Sequence, residues 1–282
     1  MSAVTVRTSE PAIDLAAYCA RIGYSGPLMP TLETLRALQE LHPAALPFEA
    51  IDVLLGRGVD ISPQAVDAKL IGRRRGGYCY EQNGLFKRVL QAIGFEVEGL
   101  IARVNWNTPG DAPLRPPSHM ALRVTIDGEA WLADVGFGSC VPTAPLRLGS
   151  SEPQPTTHET FRFAQAGGEL QLEALLGGRW ASVYRLLGSP QLDVDYELAN
   201  WYTATHPQSH FRHRLIVTRT TPEARHVLLG GRLTVRTRHG EAERRQLGAD
   251  GLERELADRF LLPVQPDWRP MIERAAADVP TD

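Results

Sequence analysis

Residues 74–83, Arg-Arg-Gly-Gly-Tyr-Cys-Tyr-Glu-Gln-Asn, place a single cysteine at the start of a helical pattern. After Cys79 the apolar residues Leu85, Phe86, Val89, Leu90 and Ile93 fall on one stripe of period 3.6, and Gly94 ends it. Gly76 and Gly77 are expected to let the backbone turn tightly into this helix. The Cys79 sulfur then lies near free amide N–H groups and the positive end of the helix dipole, a position that favours thiolate over thiol. The plainer alternative is an inert buried cysteine, and the rest of the chain must decide between the two.

A helical pattern precedes this stretch. Ile13, Leu15, Ala16, Cys19 and Ile22 share a stripe, which makes Cys19 a packing residue. Thr31 caps a second helix carrying Leu32, Leu35, Leu38 and Leu41, and Ser62-Pro63 opens another that runs to Ile71. An all-helical segment to about residue 93 is the expectation.

From Glu96 the period becomes two. In His119–Ile126 the residues Met120, Leu122, Val124 and Ile126 share one face, and His119 takes the other. Asp127-Gly128 is a two-residue hairpin turn and residues 131–136 return. Ile126 then opposes Glu129, which brings Asp134 diagonally beside His119 at about 7–8 Å between backbones, within reach of a side-chain hydrogen bond. Phe161, Phe163, Leu170, Leu172, Trp180 and Val183 continue as a meander turning at Gly167-Gly168 and Gly177-Gly178, a small barrel or sandwich. A helical connector over about 190–205, strands around Gly230-Gly231 and a helix carrying Leu252, Leu256 and Phe260 complete the pattern. Residues 275–282 read as a frayed end.

A chain of 282 residues with 43% hydrophobic content is long enough for two or three compact units. The formal net charge of −3 supplies no overall field for nucleic acid or acidic membranes. No leader pattern or membrane-length apolar run is present, and three scattered cysteines suit free thiols in a reducing, cytoplasmic setting. Neither C-x-x-C nor H-E-x-x-H spacing occurs, so no metal site is indicated.

A thiolate nucleophile needs a base, and the base needs a group to orient it. Cys79, His119 and Asp134 supply these types, although a strand histidine is more often a satisfied polar residue, and the chain holds eight histidines. Residues 75–86 (RGGYCYEQNGLF), 119–124 (HMALRV) and 134–138 (DVGFG), in that order, resemble the signature blocks of the arylamine N-acetyltransferase family of prokaryotic type, and Pro47-Phe48-Glu49 and Ser209-His210-Phe211 are similar to two further blocks. The likeness covers roughly residues 20–220.

The resemblance implies an α+β fold with a cysteine-protease-like core: an N-terminal helical bundle over 1–93, an antiparallel β-barrel over 94–189, a helical linker over 190–210 and an α/β lid over 211–282. It implies a Cys79–His119–Asp134 triad, no permanently bound cofactor, acetyl-CoA as co-substrate, and ping-pong transfer through an acetyl-cysteine to an aromatic amine or hydrazine. Phe48, Tyr78, Tyr80, Phe137 and Phe211 would line the acceptor pocket; Gly136, Gly138 and Ser139 would let the donor approach. Glu49 and Arg75 resemble a supporting ion pair, and Arg73 and Arg74 are candidates for CoA phosphates. A homodimer is compatible with this reading. Ala50 stands where the family usually has asparagine and Gln82 where relatives often have histidine. Alternatives are an amide synthase of the same family acting on a polyketide intermediate, a thiol hydrolase or transglutaminase-like enzyme, and a non-catalytic small-molecule binder.

Overall fold

The computed structural model describes residues 12–109, 112–240 and 242–279; the first eleven residues and the last three lie outside it. Helices α1 (Leu15–Ile22) and α2 (Leu32–Ala45) begin at caps the sequence supplies: Asp14 Oδ1 accepts from Ala17 N at 2.9 Å and Thr31 Oγ1 from Thr34 N at 3.3 Å. Strand β1 (Phe48–Glu49), α3 (Ile51–Leu54) and α4 (Pro63–Asp67), which runs on through one π turn (Ala68–Gly72), lead to α5 (Cys79–Ile93). Gly94, at φ 107°, ends α5.

The first segment is not all helical. Phe48 pairs with Thr218 and Glu49 with Val217, so β1 becomes the edge of a sheet made otherwise from the C-terminal part of the chain. The two glycines before Cys79 also act differently from expectation. The left-handed residue is Arg74 (φ 54°), and Gly76 is required by proximity, since a Cβ there would stand 2.1 Å from the Pro47 carbonyl oxygen.

Strands β2 (Glu96–Val104), β3 (His119–Ile126), β4 (Glu129–Ala133), β5 (Leu146–Arg147), β6 (Gln154–Pro155), β7 (Thr160–Ala166), β8 (Glu169–Leu176) and β9 (Arg179–Leu186) form one antiparallel sheet in the order β5-β4-β3-β2-β9-β8-β7-β6. It curls into a nearly closed barrel: Gln154 bonds Arg147 N at 2.6 Å and Arg147 O at 3.1 Å, bridging the strands at its two ends. The Asp127-Gly128 turn has both residues at positive φ, 52° and 79°, and Ile126 pairs with Glu129. β3 is buried on both faces over its first four residues. Met120, Leu122, Val124 and Ile126 pack on Leu85, Phe86, Val89 and Leu90 of α5, whereas Ala121 joins Phe161, Phe163, Leu172 and Cys140 inside the barrel.

Helix α6 (Asp193–Thr205) crosses back with Tyr196 buried, its hydroxyl donating to Leu100 O at 3.1 Å. Strands β10 (Ile216–Thr220), β11 (Ala224–Leu229), β12 (Arg232–Thr237) and β13 (Ala242–Gln246) extend β1 into a five-stranded antiparallel sheet. Helices α7 (Ala249–Asp258) and α8 (Arg269–Ala277) cover one face through Leu252, Leu256, Met271 and Ile272. The chain is ordered to Asp278 rather than frayed from 275, because Arg214 Nε holds that carboxylate at 2.7 Å.

Beneath the start of α5, Arg75 meets Glu49 at 2.7 Å and Asp52 at 3.1 Å, and Lys69 meets Asp52 at 2.7 Å and Glu81 at 2.8 Å. Glu49 Oε2 also accepts Ile51 N at 2.7 Å, so Glu49 supplies the first N–H of α3 with a cap that Ala50, with no side-chain acceptor, does not. Replacing Glu49 by alanine strips this cap and leaves Arg75 buried with Asp52 alone. A loss of about 3–5 kcal/mol is expected from urea unfolding, and a loss near zero would remove the network from any structural role.

Candidate active site

Three segments converge on Cys79. Helix α5 presents it as its first residue, only 4% exposed, and its thiol lies 3.7 Å from the Ser118 carbonyl oxygen. β3 presents His119 as its first residue. The stretch after β4 presents Asp134, whose Oδ2 is 2.7 Å from His119 Nε2. With Nε2 engaged by Asp134, the ring is held near enough to Cys79 for that residue to favour a charged imidazole.

Asp134 is fully buried, and its charge is held by donors on every side. Oδ2 accepts from His119 and from the Tyr184 hydroxyl at 3.0 Å; Oδ1 accepts from Asn83 Nδ2 and Gly136 N, each at 2.9 Å. Asn83 stands one turn beyond Cys79 on α5. It also donates to Met120 O at 2.6 Å and accepts Val135 N at 3.0 Å, which fastens the cysteine's helix to both strands carrying its partners. Gly136 permits the approach: a Cβ there would fall 2.9 Å from Cys79 Cα.

Burial disfavours a charged His119, yet the Asp134 carboxylate and the bonds to Asp134 and Cys79 outweigh it and push its pKa up to about 10. Burial, followed by the Asp134 charge, pushes the Tyr184 hydroxyl well above the usual tyrosine range, so it remains a donor. The other thiols are of a different kind. Cys140, in the barrel core, is pushed up to about 12 by burial, and burial also raises half-buried Cys19 on the packed side of α1.

The aromatic candidates divide. Phe137 stands edge-on to His119 with ring centroids 5.0 Å apart and also meets Tyr184 at 5.1 Å. Phe48 and Phe211 meet at 5.9 Å, and a Cβ on Gly138 would lie 3.5 Å from Phe48, which brings this pair to the same loop. Tyr78 backs Phe211 at 5.9 Å and is fully buried, its hydroxyl bonded to Asn200. Tyr80 points elsewhere, packing on Tyr196 at 6.2 Å and lining a cavity of about 400 Å³ between α5 and α6. Consecutive helical residues diverge by about 100°, so Cys79 and Tyr80 do not share a face. Gly138 is buried at φ 81° and Ser139 is half-buried beside it; Arg73 and Arg74 are exposed.

Sequence reasoning missed Asn83 and Tyr184. Asn83 was legible in principle, four residues after Cys79 and therefore on its face of the helix. Tyr184 carries no local signal.

Two expectations follow. Because His119 keeps its proton up to about pH 10, its ring signals in proton NMR should hold constant between about pH 6 and about pH 8, the range in which a free imidazole titrates. A ring that titrates within that range would deny the imidazolium. Tyr184→Phe removes one donor to a buried carboxylate while keeping the ring, and should lower stability by about 1.5–3 kcal/mol in urea unfolding; an unchanged midpoint would show that the bond carries no net weight.

Residues 31–269 match the N-acetyltransferase family profile. The arylamine N-acetyltransferase of Mycobacterium tuberculosis H37Rv is 42% identical over 256 residues, 90% of each chain, and that of Escherichia coli K12 is 42% identical over 222 residues, 79% of this chain and 76% of the relative. Among solved structures, the M. tuberculosis arylamine N-acetyltransferase superposes with a TM-score of 0.89 at 40% identity, covering 94% of this chain and all of the other. The Mycobacterium marinum arylamine N-acetyltransferase in complex with CoA superposes with a TM-score of 0.88 at 39% identity, covering 93% of this chain and 98% of the other. With three quarters or more of both chains aligned in each case, the protein belongs to the arylamine N-acetyltransferase family.

Proposed function

We propose that this protein moves an acetyl group from acetyl-CoA, through a thioester on Cys79, to an aromatic amine or hydrazine. The observation that carries the reading is the buried Cys79–His119–Asp134 group, with the imidazole bonded to Asp134 at 2.7 Å and its charge favoured by Cys79.

In the first half, the Cys79 thiolate attacks the thioester carbonyl. Backbone N–H groups near Cys79 hold the oxyanion, the bond to the CoA sulfur breaks, and the departing thiolate takes the proton from His119. In the second half, the acceptor nitrogen attacks the acetyl-cysteine, its proton passes to His119, and Cys79 leaves as thiolate. Each half returns the proton that the other used. Acetylation also removes the Cys79 charge that helps keep the proton on His119, so the imidazole is least basic once it has delivered that proton.

Phe48, Phe137 and Phe211 supply apolar walls for a planar acceptor. Tyr78 stands behind Phe211 as support, and the packing of Tyr80 against α6 argues for a structural part. Gly136, Gly138 and Ser139 form the backbone along which the donor thioester lies. No helix among the described residues is long and apolar enough to cross a membrane. Three free cysteines support a cytoplasmic setting.

Brief mixing with acetyl-CoA should add one acetyl group to the wild type and none to Cys79→Ala, as read by intact-protein mass spectrometry, and an arylamine or hydrazine should then discharge it. A well-folded protein that takes no acetyl group would turn the reading toward the amide-synthase alternative with a different acyl donor. Discharge by water as fast as by amine would turn it toward a hydrolase.

A further inference from the structure

Where β10, β11 and β13 meet α7 lies a cavity of about 530 Å³ walled by Arg219, His226, Arg245, Arg254, Glu255, Asp258 and Arg259. It lies away from the cleft. Thr218 Oγ1 would be 3.5 Å from a Cβ on Gly138, and side chains alternate along a strand, so Arg219 projects from the opposite face of β10. His226 sits across from Arg219 in the ladder, and Arg259 Nη1 approaches His226 Nδ1 at 3.5 Å.

Four guanidinium groups (Arg219, Arg245, Arg254, Arg259) and two carboxylates (Glu255, Asp258) wall the concavity, while Glu243 meets Arg245 at 2.9 Å and Glu223 acts on Arg219 from outside the lining. Glu255 is already shared by Arg245 at 3.1 Å and Arg259 at 2.5 Å. Arg219 bonds to carbonyls instead of carboxylates, through Nε to Ala44 O at 2.6 Å and Nη1 to Arg259 O at 2.8 Å. The crowding registers in the titrating groups. Burial, then Arg259 and Arg219, push His226 down to about 4 against the opposing charges of Glu255 and Glu223, and burial and Arg259 lower Arg219 as well. An anion seated here would be attracted by the guanidinium groups and would favour a protonated His226, against the repulsion of Glu255 and Asp258.

We propose that this basin is an anion-binding site that takes a phosphate group, apart from the acetyl-transfer cleft. Planar guanidinium forks match tetrahedral phosphate oxygens, and the volume admits a phosphate with a small group attached.

The probe is inorganic phosphate, compared with sodium chloride at matched ionic strength. Phosphate should raise the Tm of the wild type more than chloride does. The double variant Arg245→Gln/Arg254→Gln, which leaves the Ala44 anchor of Arg219 intact, should bind phosphate about tenfold more weakly by calorimetry. Its rate of Cys79 acetylation should not change. In proton NMR, the His226 ring should titrate at higher pH when phosphate is bound. AMP binding more tightly than phosphate would indicate a nucleotide-type ligand, and equal affinities a free anion. Equal stabilisation by chloride, or an undiminished phosphate response in the double variant, overturns the proposal.

Discussion

An ionised carboxylate sealed from water is tolerated only if its lone pairs are filled, since an unpaired one costs several kcal/mol. Asp134 meets that condition with four donors drawn from α5, β3, β9 and its own loop. Each donor can be in place only if its element is, so filling one acceptor also registers the helix against the barrel. The relation of Cys79 to His119 is a consequence: Asn83 places the helix, and the helix places the sulfur. Gly136 contributes by lacking a side chain, because any Cβ would push the loop off Cys79 Cα.

A second buried network performs the same task from below. Glu49, Asp52, Lys69, Arg75 and Glu81 set three carboxylates against two cations, and burial, ahead of the opposing pull of Lys69, pushes the Glu81 carboxyl up from its usual range. Glu81 also accepts the Tyr78 N–H at 3.0 Å, which pins the residue before the cysteine. Arg75 extends the network to the C-terminal part of the chain by lying over the Trp268 ring at 4.7 Å. Gln82 closes the remaining side. His42 meets its Oε1 at 2.7 Å while its amide nitrogen donates to the carbonyls of Leu46, Pro47 and Gly77 at 3.3, 2.9 and 3.2 Å. A glutamine therefore suits this position. It offers an acceptor to His42 and two donor hydrogens to the turn.

The parts of this arrangement that were legible in the sequence are those set by local chemistry. The Asp127-Gly128 turn fixes a hairpin register, the register puts Asp134 beside His119, and the helical stripe after Cys79 runs to its glycine stop. What was illegible depends on contacts between segments far apart in the chain. Phe48–Glu49 is too short to show a period, so its membership of the far sheet had no signature. Tyr184 looks like any aromatic residue of a meander strand until the barrel closes and brings it under Asp134. The turn before Cys79 was assigned to glycines because they are permissive, but the strained position is Arg74 and the glycines answer to crowding by Pro47 and Glu81. Tyr80 meets Tyr78 edge-on at 5.4 Å, while helical geometry turns its ring toward α6, a direction the motif alone does not reveal.

These constraints explain how an imidazole can be nearly buried and still hold a proton. A histidine in this position would ordinarily give up its proton to escape desolvation, as His42 does, its pKa pushed down to about 4 first by burial. His119 is equally enclosed, yet its pKa is pushed up to about 10 because a fixed carboxylate and a sulfur lie against it. The difference between the two residues is therefore one of neighbours. His42 lies between a phenol and an amide, Tyr18 at 2.8 Å and Gln82 at 2.7 Å; the Gln82 bond favours the cation, but neither partner carries the charge needed to offset burial, and Arg21 adds to the opposition. Changing the charge beside an imidazole thus decides whether it holds a proton. In the mechanism proposed above, acetylation makes that change at Cys79, and departure of the acetyl group reverses it.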